Sequence, residues 1–375
     1  MKLTTLFLFT TLALQAGPPV LNELRPRGAQ KGQPFILTVV GRDLGGGVKV
    51  QSAMPASFSR LAPDPTSTMM EGRYAAFLVD PSAELEVGVY PVRVESADGI
   101  SNILFFTVGA FPELTEEESE PGSRPHRNDT IESAQGIPST PVTVNGTIAG
   151  PERDFYRVQG KAGERRVFEV EARRCGSAID PVIRVRDQAG NQLTRSEDTP
   201  LLGLYARVEV TFPKDGYYYL EVHDARFSSQ SSAYNFYRLK TGSYEYPKEV
   251  FPLGGPRGAE VEVSFGGQKA KADLRAVAEN ASLTHVRLPG SPALPIPFAV
   301  GDAPERIEPV SGPLTLPVTV NGRLAQPAEK DTYTFQVAPG SDVTFQIEAR
   351  ELGTSRLMAI LSVTDTSGAE LARSG

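Results

Sequence analysis

Cysteine occurs once in the 375 residues, histidine three times and tryptophan not at all. A single Cys175 cannot form an internal disulfide, and it reads as a small buried side chain. His126, His223 and His285 stand far apart in the chain, and the default for each is a solvated or capped imidazole. None belongs to an H-E-x-x-H helix, and no G-x-S-x-G elbow accompanies them. Hydrolase centres of those kinds are excluded, and no catalytic residue is assigned. Positive charge is the scarcer sign, 38 Lys and Arg against 45 Asp and Glu, for a net charge of −7. That balance argues against a nucleic-acid partner, which needs a basic face. No apolar run after the N-terminus is long enough to span a membrane as a helix. No Gly-rich loop opens a helix to cradle phosphate, and Gly45-Gly46-Gly47 reads as a turn between strands.

What is abundant is Gly (35) and Pro (31), the balance expected of many short strands joined by turns. At this length two to four domains are expected. Lys2 followed by the apolar residues 3–14 reads as a secretory signal ending at Ala16. No Cys follows it to carry a lipid. The expected location is therefore extracellular or periplasmic.

One stretch occurs twice. Residues 141–170 begin PVTVNG, and residues 317–347 begin with the same six letters. A second phrase is also duplicated. Residues 23–41 match 249–267 at Pro26/Pro252, Gly28/Gly254, Gly32/Gly258 and Gly41/Gly267, and the exits FTVGAFPE and FAVGDAPE match too. Such self-similarity dictates the architecture. The layout is A–B–A′–B′: a signal at 1–16, A at 17–112, B at 113–242, A′ at 243–304 and B′ at 305–375. The A-to-B junction, ELTEEESEPGSRPHRND, reads as an exposed acidic linker.

The two copies identify the core of B. Tyr156, Val158, Phe168, Val170 and Ala172 face Tyr333, Phe335, Phe345, Ile347 and Ala349 in the alignment. The residues between them, among them Arg157, Glu169 and Glu171, are polar. That is period-two alternation with one face buried. Ile183 and Val185 continue it, Asp187 to Gly190 and Asp365 to Gly368 are the same turn, and Tyr234, Phe236 and Leu239 belong to a closing strand. The fold class is all-β, a tandem array of antiparallel β-sandwiches. Tyr218, Leu220 and Val222 alternate inward, which turns Tyr217 and Tyr219 outward as a candidate platform for a carbohydrate or peptide.

Domain B resembles the bacterial pre-peptidase C-terminal domain. The matching elements, in order, are Asn128-Asp129, Val144-x-Gly146, Asp154-x-Tyr156-x-Val158, Ala162-Gly163, Asp187-x-x-Gly190, Asp215-Gly216-x-Tyr218 and Tyr234. The resemblance spans about 110 residues of B and the first 60 or so of B′. The A units are similar to immunoglobulin-like IPT/TIG modules on the P-x-G-x-x-x-G start. The resemblance implies a jelly-roll-like, usually non-catalytic sandwich appended to exported proteins. It also implies Ca²⁺ held by an acidic N-terminal segment, here Glu118, Glu120, Asn128, Asp129 and Asp154, since hard cations need six to eight oxygens. The insertion of residues 122–127 departs from the family run, and a solvated linker is the other reading of the same acids.

Three functions stay open: a secreted non-catalytic array of binding or spacer modules for an extracellular protein or polysaccharide, part of an exported peptidase or other hydrolase, and a surface adhesive protein. One further expectation concerns B′. Residues from about 197 to 239 of B have no counterpart in it, so B′ is expected to be an incomplete sandwich belonging to a longer protein. Phe335, Phe345 and Ile347 are then expected to be more exposed than Val158, Phe168 and Val170.

Overall fold

A computed structural model describes residues 17–63, 69–117, 128–148, 150–199, 205–227, 234–350, 352–355 and 357–374. Residues 1–16, read as the signal, and Glu118, Glu120 and His126 lie outside them. The described residues are all-β and hold no α-helix. Two compact units divide the chain, residues 1–86 with 90–107, and residues 87–89 with 108–375.

The first unit contains β1 (Val20–Arg25), β2 (Gly28–Gln30), β3 (Phe35–Arg42), β4 (Lys49–Ser52), β5 (Ala56–Arg60), β6 (Tyr74–Pro81), all but the first two residues of β7 (Gly88–Ser96), β8 (Gly99–Ile100) and all but the last two of β9 (Leu104–Gly109). They form one sheet in the order β1-β3-β6-β5 and another in the order β2-β9-β7-β4, with β8 on β7. Leu37, Val39, Phe77 and Val79 from the first sheet and Val92, Val94 and Phe106 from the second are at most 1% exposed. β3, β6, β7 and β9 are apolar-rich in sequence. β4 and β5, reading KVQS and ASFSR, carry no apolar run and form because β7 and β6 offer them an edge.

The second unit opens with the B sandwich. Its strands are β10 (Glu113–Thr115), β11 (Gln135–Gly136), β12 (Val142–Thr147), β13 (Arg153–Gly160), β14 (Arg165–Glu171), β15 (Pro181–Arg186), β16 (Gln192–Ser196), β17 (Ala206–Thr211), β18 (Gly216–Asp224) and β19 (Phe236–Gly242). Two five-stranded sheets, β10-β12-β19-β14-β17 and β11-β13-β18-β15-β16, close over one core. Tyr156, Phe168, Val170, Ile183, Tyr218 and Leu220, the inward positions of the alternation, are all at most 1% exposed. The sheets are not purely antiparallel. The short edge strands β10 and β11 run parallel to β12 and β13, because each is an incoming segment laid beside a strand rather than half of a hairpin. Phe236 and Leu239 do not share a face. Tyr237 and Leu239 face the main core, whereas Phe236 packs on the other side with Cys175 and Leu294.

A′ carries β20 (Gly254–Pro256), β21 (Glu260–Ser264), β22 (Lys269–Asp273), β23 (Leu283–Val286) and β24 (Ile296–Gly301), in a three-stranded and a two-stranded sheet. In B′ the strands are β25 (Glu305–Ile307), β26 (Thr319–Asn321), β27 (Leu361–Thr364) and β28 (Glu370–Ser374), in two two-stranded sheets. The duplication extends to register. Ile183 pairs Ser196 with a bulge after Val185, and Leu361 pairs Ser374 with a bulge after Val363. Asp187 Oδ1 accepts from the N–H of Ala189 and Asn191, and Asp365 Oδ1 from those of Ser367 and Ala369. The glycines closing both turns, Gly190 and Gly368, have φ +85°, which a side chain would strain.

Burial differs sharply between the copies. Phe345 is 36% and Ile347 47% exposed, while Phe168 and Val170 are at 0%. In B, β13 pairs with β18, and β14 lies between β19 and β17. Residues 305–375 contain no counterpart of those partners, so 331–337 and 342–348 form no strand. A strand without a neighbour leaves its amides and apolar face in water.

The repeated PVTVNG has a physical cause in the junction read as an exposed linker. Its opening is β10, and Glu116 is 7% exposed. Asn145 Nδ2 donates to Glu113 Oε2 at 2.7 Å, and Asn321 Nδ2 to Glu305 Oε2 at 2.7 Å. Thr147 N donates to Glu116 Oε1 at 2.6 Å, and Arg323 N to Glu308 Oε2 at 2.8 Å. Thus P-E-x-x-E entering each B-type module is clamped by V-N-G. Glycine is required because a Cβ on Gly146 would lie 2.6 Å from Glu116 Oε2 and collide with the Tyr237 ring, and one on Gly322 would lie 2.6 Å from Glu308. Gly146→Ala is expected to destabilise B by about 1–3 kcal/mol. A urea midpoint unchanged from the parent would refute the clamp.

Candidate metal centre

Of the five residues proposed for Ca²⁺, the structure brings Asp129 and Asp154 together and adds Glu152. One carboxylate oxygen from each lies within 4.8 Å of the others. Asp154, at the start of β13, is fully buried. Asn128 is held beside it because its carbonyl accepts a 2.7 Å hydrogen bond from Phe155 N. The Asn128 side chain is 1% exposed, and neither its oxygen nor its nitrogen has a hydrogen-bond partner. Asp129 Oδ1 is likewise buried and unpartnered. Unsatisfied buried polar atoms are uncommon in folded proteins and call for an explanation. The three converging carboxylates are oxygen donors of the kind a hard cation takes. At the C-terminal end of the acidic stretch Asp129 lies with Asp154 of β13, while Glu118 and Glu120 lie outside the described residues.

Glu152 escaped the sequence reading, although period two puts it on the side of Asp154. Tyr237 escaped it as well. Its hydroxyl donates to Asp154 Oδ2 at 2.6 Å and shares a hydrogen bond with the Tyr156 hydroxyl, while Glu116 Oε2 lies 3.4 Å away. Burial, and then the Asp154 charge, push the Tyr237 phenol well above its ordinary value, so it stays a neutral donor. Asp154 thus divides its carboxylate between a phenol in the core and the acidic cluster. A phenol donating to one carboxylate oxygen in this way orients the other toward a ligand.

The other candidate residues lie elsewhere. Tyr217 is 44% exposed and Tyr219 half-buried on the outer face of β18. His223, expected to be solvated, is 4% exposed, with Nδ1 3.3 Å from Glu221 Oε1. His285 is exposed on β23, and partial desolvation followed by the charges of Arg174 and Arg287 lowers its pKa.

The outer face of the first B sheet departs most from expectation. Glu169 and Glu171, taken as outward polar residues, are 2% and 3% exposed. They belong to an ion ladder across neighbouring strands. Arg238 reaches Glu113 at 2.7 Å and Glu171 at 3.5 Å. Lys240 reaches Glu171 at 2.7 Å and Glu169 at 3.1 Å, and Arg207 reaches Glu169 at 2.6 Å. A′ covers the ladder, for Lys240 Nζ also donates to Pro292 O at 3.4 Å, and Arg207 lies 4.1 Å over the Tyr246 ring.

No family model matches the chain, and no curated protein matches it. Solved structures do. A pre-peptidase C-terminal domain of collagenase from Bacillus anthracis is similar at 17% identity over 29% of this chain and 93% of that one, TM-score 0.23. The secreted serine protease VesC from Vibrio cholerae is similar at 12% identity over 59% of this chain and 49% of that one, TM-score 0.21. The Bacteroides ovatus SGBP-B protein, solved with a mixed-linkage heptasaccharide, is similar at 10% identity over 60% and 75%, TM-score 0.21. Among the described residues, no helix is long and apolar enough to cross a membrane.

Proposed function

We propose that the chain is an exported, non-catalytic array of β-modules, alternating IPT/TIG-like and pre-peptidase-C-terminal-like, in which calcium stiffens the entry to B. The observation that carries the reading is the buried, unpartnered amide of Asn128 beside the acidic trio. Asn128, Asp129, Glu152 and Asp154 would hold the ion. When bound, Ca²⁺ supplies charge neutralisation and a cross-link between the incoming segment and β13. The ion ladder under A′ suits the same role, because a covered, charge-matched face holds successive modules at a set orientation, as a spacer requires.

The reading predicts a calcium-dependent melting temperature. A ligand bound only by the folded state stabilises it by about 2.7 kcal/mol at a hundredfold excess over Kd. Millimolar Ca²⁺ is expected to raise the melting temperature of the full chain above its value in EDTA. Asn128→Ala and Asp129→Asn are expected to abolish that rise. No shift in the parent, or an undiminished shift in both variants, would remove the calcium site from the proposal.

A further inference from the structure

The second B sheet has an outer face unlike the rest of this acidic chain. Alternation turns outward Arg153 and Arg157 from β13, and Arg184 and Arg186 from β15. Between them runs β18, which presents Tyr217, Tyr219 and Glu221. Register places Tyr219 directly between Arg157 and Arg186. The Glu221 carboxylate, 1% exposed, binds Arg184 at 2.9 Å, Arg186 at 2.8 Å and Arg153. Burial by itself would raise the Glu221 pKa, but the nearby His223 ring, the Arg186 hydrogen bonds and the charges of Arg184 and Arg153 bring it well below the usual range, so it stays charged. Three guanidiniums around one carboxylate, with Arg157 beside them on the same face, leave an excess of about three positive charges, on a chain whose net charge is −7. Glu221 also pins Arg184 and Arg186, so their forks lose little freedom on binding. Arg157 is exposed, 4.9 Å over the Tyr217 ring.

We propose that this face binds an anionic polysaccharide, with Tyr217 and Tyr219 stacking on sugar rings and Arg157 and Arg186 taking carboxylate or sulfate groups. The assignment deepens the binding-module reading above, and it does not require the calcium site. Three features select this ligand. Exposed tyrosines offer flat apolar area with a polar tip, which suits a sugar's C–H face. Guanidinium forks match carboxylate and sulfate oxygens. Arg157 and Arg186 stand two strand spacings apart, roughly 10 Å, which suits charges repeated along a polymer better than one small anion.

Affinity electrophoresis of the full chain in constant Ca²⁺ tests the proposal, with polygalacturonate, dextran sulfate, neutral dextran, poly-glutamate and a single-stranded DNA oligonucleotide as probes. Polygalacturonate or dextran sulfate is expected to retard the protein, and the stronger of the two distinguishes carboxylate from sulfate. Tyr217→Ala and Arg157→Ala are each expected to weaken that retardation at least fivefold without changing the melting temperature, since both side chains are exposed. Four results would overturn it: no retardation by either anionic glycan, equal retardation by neutral dextran, equal or stronger binding of poly-glutamate or DNA, or unchanged binding by both variants. The calcium melting shift is read separately, so failure here leaves that site standing and failure there leaves this one.

Discussion

Phe168→Ala is expected to lower the stability of the B sandwich by about 3–5 kcal/mol, whereas Phe345→Ala, at the matching position of B′, is expected to cost about 1–2 kcal/mol. The two side chains are chemically identical and occupy the same place in the repeat. Phe168 has 0% exposure, inside a core contributed by both sheets, where β14 is flanked by β17 and β19. Removing the ring leaves a cavity that the close-packed core around it cannot fill by collapse. Phe345 is 36% exposed and touches Phe335, with ring centroids 5.0 Å apart. Its truncation removes contacts without opening a closed void. Urea titration followed by far-UV circular dichroism measures both, and tyrosine fluorescence serves as a second probe because tryptophan is absent. Equal losses at the two positions would contradict the difference in burial.

Lys240→Met is expected to cost about 3–5 kcal/mol, although it replaces a charged side chain by an apolar one of similar length. The Lys240 ammonium lies between Glu169 and Glu171, both nearly fully buried. Removing it leaves two carboxylates with less than their share of positive charge and no water to compensate. Burial alone would raise the Glu169 carboxyl, but Arg207 and Lys240 overcome this and hold it well below the ordinary 4.5. A carboxyl depressed on folding contributes stability that is complete above its unfolded value and is lost as pH falls toward its folded one. The parent is therefore expected to lose stability progressively below about pH 4.5. The deficit of Lys240→Met is expected to shrink over the same range, since protonating a carboxylate removes the unpaired charge. A loss under about 1 kcal/mol, or a deficit independent of pH from 7 down to about 2, would show that the ladder is solvated.

The duplicated phrases and the period-two alternation were enough to establish an all-β chain, the inward residues of B and the weaker packing of B′. Those properties are local. Alternation is a consequence of the strand itself, and an Asp-x-x-Gly turn is closed by its own side chain and its own glycine. Asn128, Asp129 and Asp154 were named together only through the resemblance to the pre-peptidase C-terminal family, and it is the fold that sets Asp129 and Asp154 side by side. Tertiary structure alone decided the rest. Glu169 and Glu171 are polar at outward positions, and nothing local says that A′ covers them or that Arg207, Arg238 and Lys240 lie across the strands. Glu116 sits in an acidic run, yet it is buried because Gly146, 30 residues later, leaves room for it beside Tyr237. The arginine face of β13, β15 and β18 is assembled from three strands separated by up to 70 residues. Their charges are scattered in a net-negative sequence, and only the pairing register gathers them around Tyr219.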